Sequence, residues 1–251
     1  MAASVLNTPV VLLDIEGTTS SVDFVYQTLF PFARAHLRAF VEGLPTGSAS
    51  EPSLDSLRAA FEAQARLDRD AGVAHPEPLP ADASLDALRA WVVASALAHM
   101  DGDRKTTALK DLQGHVWEQG YRDGLLQGHV YPDVPAAFAR WVEAGRRIHI
   151  YSSGSIRAQQ LIFGHSVEGD LTRWIDGYFD TTTGPKRVPA SYATIAGAIG
   201  VTPSSVCFFT DVVEEAEAAR AAGMAVVVVR RPGDPSPRPT DFAVVEDFEG
   251  L

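Results

Sequence analysis

From residue 129 onward the chain alternates short apolar runs with helix-like runs that end in glycine. Arg147–Tyr151 (RIHIY), Val206–Thr210 (VCFFT) and Ala225–Val229 (AVVVV) read as strands. Each follows a helix-like stretch, residues 135–144, 190–199 and 213–222, closed by Gly145, Gly200 and Gly223 in turn. Glycine is the residue that most readily ends a helix in the left-handed conformation. Strands and helices alternating through short connections build a parallel sheet with helices on both faces. Near the amino end, the four aliphatics Val10–Leu13 fit a further strand buried on both sides of that sheet, and residues 242–245 fit a short last one.

Residues 23–121 follow a different rule, with helical spacing and almost no strand signal. One helix-like run covers 24–41. Leu54, Leu57, Phe61 and Ala65 make a second stripe, Leu85, Leu88, Trp91, Val92 and Ser95 a third, and Leu109, Leu112, Val116 and Trp117 a fourth. Linkers rich in Pro, Gly and Ser at 43–52 and 72–83 separate them. The expected architecture is α/β: a doubly wound, Rossmann-like parallel sheet from 1–20 and 129–251, with a helical domain, 21–128, inserted after the first strand. An insert at that point would lie over the carboxyl ends of the strands and act as a cap. Residues 232–240 read as a Pro-rich surface loop.

Composition removes several functions. A formal charge of −11 leaves no basic stripe for nucleic acid, and it disfavours an anionic membrane surface. The single cysteine, Cys207, allows no intrachain disulfide, and within VCFFT it reads as a small buried hydrophobe. The first residues carry no basic leader and no apolar run long enough to span a membrane, so the cytoplasm is the expected location. Eighteen of the 21 basic residues are Arg, which makes a loop Lys informative.

The chemistry gathers where strands end. Val10–Leu13 runs into Asp14, Ile15, Glu16, Gly17, Thr18 and Thr19. Two carboxylates at i and i+2 leave a strand on one side, at the edge where open α/β sheets place their ligands. RIHIY runs into Ser152, Ser153, Gly154 and Ser155, hydroxyls and free N–H groups at a helix opening that suit an anion as well as a plain N-cap. Lys186, in TTGPKR, is either a surface cation or a charge that neutralises phosphate and carboxylate oxygens together. VCFFT ends at Asp211, with Glu215 one helical turn on; either could be a helix-dipole partner. With Asp14, Asp211 offers the hard oxygens of a Mg²⁺ site.

The order of these parts resembles the haloacid dehalogenase superfamily. DIEGTT, with Glu where most members have Asp, followed by IYSSGS, QQLIFGHS, GYFDT and FFTDV, resembles its acireductone synthase (enolase-phosphatase) family across essentially the whole chain. The resemblance implies Asp14 as the nucleophile that becomes an aspartyl-phosphate, and Glu16 as acid/base, its main-chain carbonyl binding Mg²⁺. It implies Ser152, Ser153 and Lys186 on the substrate phosphate, Asp211 completing the site of one Mg²⁺ per subunit, and Glu215 orienting its neighbours. The implied reaction enolises 2,3-diketo-5-methylthiopentyl-1-phosphate and then dephosphorylates it to the acireductone, in methionine salvage, by a monomer. Prolines 185 and 189 depart from the family pattern, so Lys186 is placed by the flanking GYFDT and ASYATIA. Glu16 is the expected enolisation base, its extra methylene reaching further than Asp. Phe24, Tyr26 and Trp91 are candidates to meet the methylthio tail. A phosphatase or phosphomutase of the superfamily acting on another small phosphorylated metabolite, a dehalogenase, or a silent interaction module on the same fold are the competing readings. His36, His75, His99 and His115 lie in the insert without metal-like pairing, and His129, at the junction before Tyr131 and Pro132, is open to two readings, a contact to substrate or the favoured structural role.

Overall fold

The computed structural model describes residues 8–47, 51–233 and 240–251. The first linker and the Pro-rich loop read from sequence lie partly outside these residues. The chain forms two compact units, Met1–Tyr26 with Leu126–Leu251, and Gln27–Leu125.

The first unit is built on a six-stranded sheet in the order β3-β2-β1-β4-β5-β6, from β1 (Val10–Leu13), β2 (Arg147–Tyr151), β3 (Gly177–Phe179), β4 (Val206–Thr210), β5 (Ala225–Val229) and β6 (Ala243–Val245). All pairings are parallel, and Leu13 stands level with Ile150 on one side and Phe209 on the other. The central strand is fully buried, as its four aliphatics require. β3 is a strand that sequence patterning misses, because three residues beginning with glycine carry no periodicity.

Helices cover both faces. Val10, Leu12, Phe208, Val226 and Val228 point to one face, where they pack with Tyr192, Ile195 and Ala216 of the helices Pro189–Ile199 and Val213–Ala221. Phe209 points the other way, with ring centroids 5.8 Å from Trp141 of the helix Val134–Glu143 and 5.5 Å from Phe248. The period of two along each strand thus supplies both layers of core.

The second unit is helical: α1 (Phe30–Glu42), α2 (Leu54–Asp70), α3 (Leu85–Asp101) and α4 (Thr107–Arg122). The stripes read from sequence are buried at Leu57, Phe61, Val92, Leu112 and Val116, among others. Ser53, Ser84 and Thr106 each accept a backbone N–H at the start of their helix. The run 24–41 is not one α-helix: Phe24–Leu29 is π-helical and α1 follows. Pro31 lacks the N–H that would bond back into that first turn, which breaks the regular ladder there. Among the described residues no helix is long and apolar enough to cross a membrane.

Candidate active site

Asp14 follows β1 directly, and its N–H extends the ladder to Phe209 O at 3.0 Å. The chain then winds tightly. The N–H groups of Thr18, Thr19 and Ser20 converge on Ile15 O at 3.1, 2.9 and 2.8 Å, and Thr19 Oγ1 donates to Asp14 O at 2.9 Å. This turn, rather than strand alternation, places Glu16, which is half-buried on its rim beside Ser20. Ile15 N–H donates to Asp14 Oδ1 at 2.8 Å and so fixes the carboxylate's orientation.

Lys186 reaches the same point. Its Nζ lies 2.6 Å from Asp14 Oδ2 and 2.7 Å from Glu215 Oε2, with all three side chains buried. Thr210 Oγ1 sits 3.2 Å from each of those carboxylate oxygens and bridges them. Burial works against the Lys186 ammonium, but the charges of Asp14 and Glu215 outweigh it and hold the proton more firmly than in water.

The loop carrying Lys186 is pinned by hydroxyls. Tyr151 donates to Gly184 O at 2.8 Å, Ser191 to Pro185 O at 2.8 Å, and Tyr192 to Lys186 O at 2.6 Å. Three successive carbonyls are satisfied by side chains, so a loop with two prolines keeps its ammonium aimed at Asp14.

Asp211 joins through Gly17. Gly17 has φ +72°, and a Cβ there would fall 2.4 Å from Asp211 Oδ2, so the two are in close contact. Asp211 Oδ1 is buried with no hydrogen-bond partner among the described residues. Burial and the Asp14 charge push the Asp211 carboxyl up to about 8, and the same two causes push Glu215 up to about 7. Three carboxylates face one ammonium, and an orphaned carboxylate oxygen among them is what a hard divalent cation satisfies.

Ser152 and Ser153 follow β2, at the same end of the sheet as Asp14. Ser152 is buried, and its Oγ accepts Gly154 N–H at 3.1 Å. Gln159 Nε2 donates to Gly154 O and Phe179 O, both at 2.9 Å, and Ser155 caps the helix Ile156–Gly164.

The structure adds residues that sequence reasoning passed over. Thr210 is one; its place as the last residue before Asp211 was the available signal. Arg231 is another. It is buried, donates to Thr18 O through Nε and Nη2 at 2.8 and 2.7 Å, and pairs with Asp133 at 2.8 Å. In a chain rich in Arg nothing marks it out. His129 accepts Ser21 N–H through Nδ1 at 3.1 Å, while Tyr131 N–H donates to Thr19 O at 3.0 Å, so the 129–131 segment braces the Asp14 turn. Burial, aided by Arg231, holds the His129 imidazole below its ordinary value. Trp91 is buried in the helical unit against His75, with ring centroids 6.0 Å apart, and Tyr26 is exposed. The insert histidines also need correction. His75 and His99 meet Asp68 in space, although their spacing along the chain gives no sign of it.

Residues 8–223 match the haloacid dehalogenase-like hydrolase family. The chain is 45% identical to enolase-phosphatase E1 of Azotobacter vinelandii, covering 94% of this chain and 96% of that protein. It is 47% identical to enolase-phosphatase E1 of Pseudomonas aeruginosa strain UCBPP-PA14, covering 93% and 96%. The chain belongs to the enolase-phosphatase E1 family of haloacid dehalogenase-like hydrolases. The relationship extends to Anopheles gambiae, whose enolase-phosphatase E1 is 42% identical over all of this chain and 84% of that protein. Among solved structures, the UTR4 protein of Saccharomyces cerevisiae is 33% identical with a TM-score of 0.75, covering 98% of this chain and 100% of that one. The L-2-haloacid dehalogenase of Xanthobacter autotrophicus, at 19% identity and TM-score 0.50, shares the fold. Family membership makes this enolase-phosphatase E1 relative a hydrolase.

Proposed function

We propose that the chain is an acireductone synthase of methionine salvage, converting 2,3-diketo-5-methylthiopentyl-1-phosphate to its enol and then to 1,2-dihydroxy-3-keto-5-methylthiopentene and phosphate. The observation that carries this reading is the buried Asp14–Lys186–Glu215 cluster with Asp211 against its turn. Asp14 attacks phosphorus, and the bond from phosphorus to the substrate's C1 oxygen breaks as Glu16 donates a proton to that oxygen. Glu16 then takes a proton from water, which attacks the aspartyl-phosphate and releases phosphate, restoring Asp14. Lys186 spreads positive charge over the phosphate and the nucleophile, while Ser152 and Ser153 hold phosphate oxygens. In the preceding half-reaction Glu16 removes a proton from the substrate's C1, the electron pair moves into a C1=C2 double bond, and the C2 carbonyl oxygen takes a proton from solvent to become the enol. Glu16 is left carrying the proton it later donates to the leaving oxygen. Its position on the rim of the turn, half-buried, supports access to a substrate carbon that a fully enclosed side chain would lack.

Asp14, Asp211 and the Glu16 main-chain carbonyl would hold one Mg²⁺, which offsets repulsion between the carboxylate nucleophile and the phosphate dianion when bound. The orphaned Asp211 oxygen and the excess of carboxylates over ammonium groups support that donor set. The enzyme is read as a cytoplasmic monomer, which size-exclusion chromatography with light scattering would test.

Phosphate release from the diketone phosphate tests the reaction. Wild-type protein should release phosphate only with Mg²⁺, and Asp14→Asn should release none while keeping its circular dichroism. An Asp14→Asn protein with wild-type turnover would overturn the assignment.

A further inference from the structure

The helical unit holds a second cluster of ligating side chains, none of which takes a step in the reaction proposed above. Asp68 lies near the end of α2, His75 in the linker that follows, and His99 near the end of α3. One ligand atom from each lies within 4.8 Å of the other two. Asp68 and His99 are buried, and His75 is half-buried. The two imidazoles meet edge to face, with centroids 5.2 Å apart.

The outer hydrogen bonds set the direction of each ring. His75 Nδ1 is 2.8 Å from Pro76 O, so it carries the proton and donates. With Nδ1 as the donor, Nε2 is the ring nitrogen left to act as a ligand. That atom is buried with no hydrogen-bond partner among the described residues. His99 Nδ1 is 3.0 Å from Thr106 Oγ1, and its Nε2 faces Asp68 Oδ2 at 3.3 Å. Asp68 is held by a forked Arg104, whose Nη1 lies 2.6 Å from Oδ2 and whose Nη2 donates to Oδ1, and by Gln64, whose Nε2 lies 2.8 Å from Oδ1. Metal-binding imidazoles characteristically anchor their second nitrogen on a carbonyl or hydroxyl, and their carboxylate co-ligands are hydrogen-bonded in turn. Both features are in place here. Phe61 against His99 and Trp91 against His75 supply apolar walls.

We propose that Asp68, His75 and His99 form a binding site for one divalent ion of the Zn²⁺ class, with water in the fourth position. Two imidazole nitrogens and one carboxylate oxygen suit Zn²⁺ and its d-block neighbours, not the all-oxygen demand of Mg²⁺. Ligand atoms about 2.0–2.1 Å from a tetrahedral Zn²⁺ stand about 3.3 Å apart. The His99 Nε2–Asp68 Oδ2 edge, at 3.3 Å, already has that length, and the His75 ligand atom lies within 4.8 Å of the other two. The consequence is structural: the ion ties the 72–83 linker to the ends of α2 and α3. Arg104 already holds both Asp68 oxygens, so its positive charge competes with the ion for that carboxylate and lowers the site's affinity.

The test uses tag-free, full-length protein stripped with chelator and then dialysed against Zn²⁺ in excess Mg²⁺. Wild type should retain one Zn²⁺ per chain, and Co²⁺ in its place should give the intense visible bands of a four-coordinate site, lost on adding Zn²⁺. His75→Ala should weaken Zn²⁺ binding by at least about tenfold and abolish the Zn²⁺-induced rise in melting temperature. Asp14→Asn should bind Zn²⁺ like wild type, which separates this site from the active site. His75→Gln serves in the same way if the alanine variant proves unstable. Wild type retaining no Zn²⁺ in excess Mg²⁺, or either His75 variant binding as tightly as wild type, would overturn the proposal.

Discussion

Gly17 and Asp211 are packed so closely that a single methyl group cannot fit between them: a Cβ on Gly17 would lie 2.4 Å from Asp211 Oδ2. Gly17 also has φ +72°, which costs an L-residue roughly 1–2 kcal/mol. Gly17→Ala therefore strains the turn and displaces a carboxylate of the site. Mg²⁺-dependent phosphate release should fall by about a hundredfold, the scale of a 1 Å misplacement. Phosphate assay and thermal melting of the same preparation check this, and full activity would contradict the packing argument.

Arg231 holds the Asp14 turn from outside through two hydrogen bonds to Thr18 O and an ion pair to Asp133. Removing one partner of a buried pair leaves the other charge uncompensated, at a cost of about 3–5 kcal/mol. Arg231→Met should lose stability on that scale in urea unfolding. Arg231→Lys should recover little, since an ammonium cannot reproduce the forked contacts. The Arg231→Met, Asp133→Asn double variant should lose less than the sum of the two single changes.

His149 lies inside β2, and burial, aided by the Arg147 charge and opposed by Asp176, holds its imidazole below the ordinary value. The unfolded chain takes up that proton near pH 6.5, before the folded chain does. Stability from neutral His149 is complete above about pH 6.5 and declines as pH falls through it, by up to about 1.4 kcal/mol per pH unit for one proton. His149→Leu should flatten this decline, and His129, shifted the same way, should leave a residual slope. Melting curves from about pH 7.5 to about pH 5.5 decide it. An unchanged slope would count against the burial argument.

Glu16→Asp shortens the side chain by one methylene while keeping a carboxyl group on the rim of the turn. If Glu16 removes the carbon-bound proton, enol formation in a single turnover should slow by at least about tenfold, the lower part of the range for acid–base catalysis. Enolisation at the wild-type rate would assign the base elsewhere.

Much of this is legible in the amino-acid sequence itself. Four aliphatics in a row, ended by acids and a glycine, fit a strand buried on both faces, and Gly145, Gly200 and Gly223 mark helix ends through a local backbone requirement. Acids and hydroxyls immediately after such strands stand at one edge of the sheet, which is why Asp14, Ser152 and Asp211 could be singled out. What escaped depends on neighbours remote in sequence. Thr210 bridges Asp14 and Glu215 across the sheet, and Tyr151 and Tyr192 anchor the Lys186 loop from two different elements. Asp68, His75 and His99 sit on two helices and a linker, and no periodicity joins them. β3 was too short to show a pattern, and the π-helical segment differs from an α-helix only in its backbone bonding.

The central claim is that one site around Asp14 and Glu16 first enolises and then dephosphorylates a methylthio-diketone phosphate. Its most direct test is an anaerobic single turnover of wild-type enzyme with Mg²⁺, following enol absorbance and free phosphate in the same sample. The account predicts that absorbance rises first and phosphate follows in equal amount. Phosphate released with no enol formed, or no phosphate at all, would contradict it.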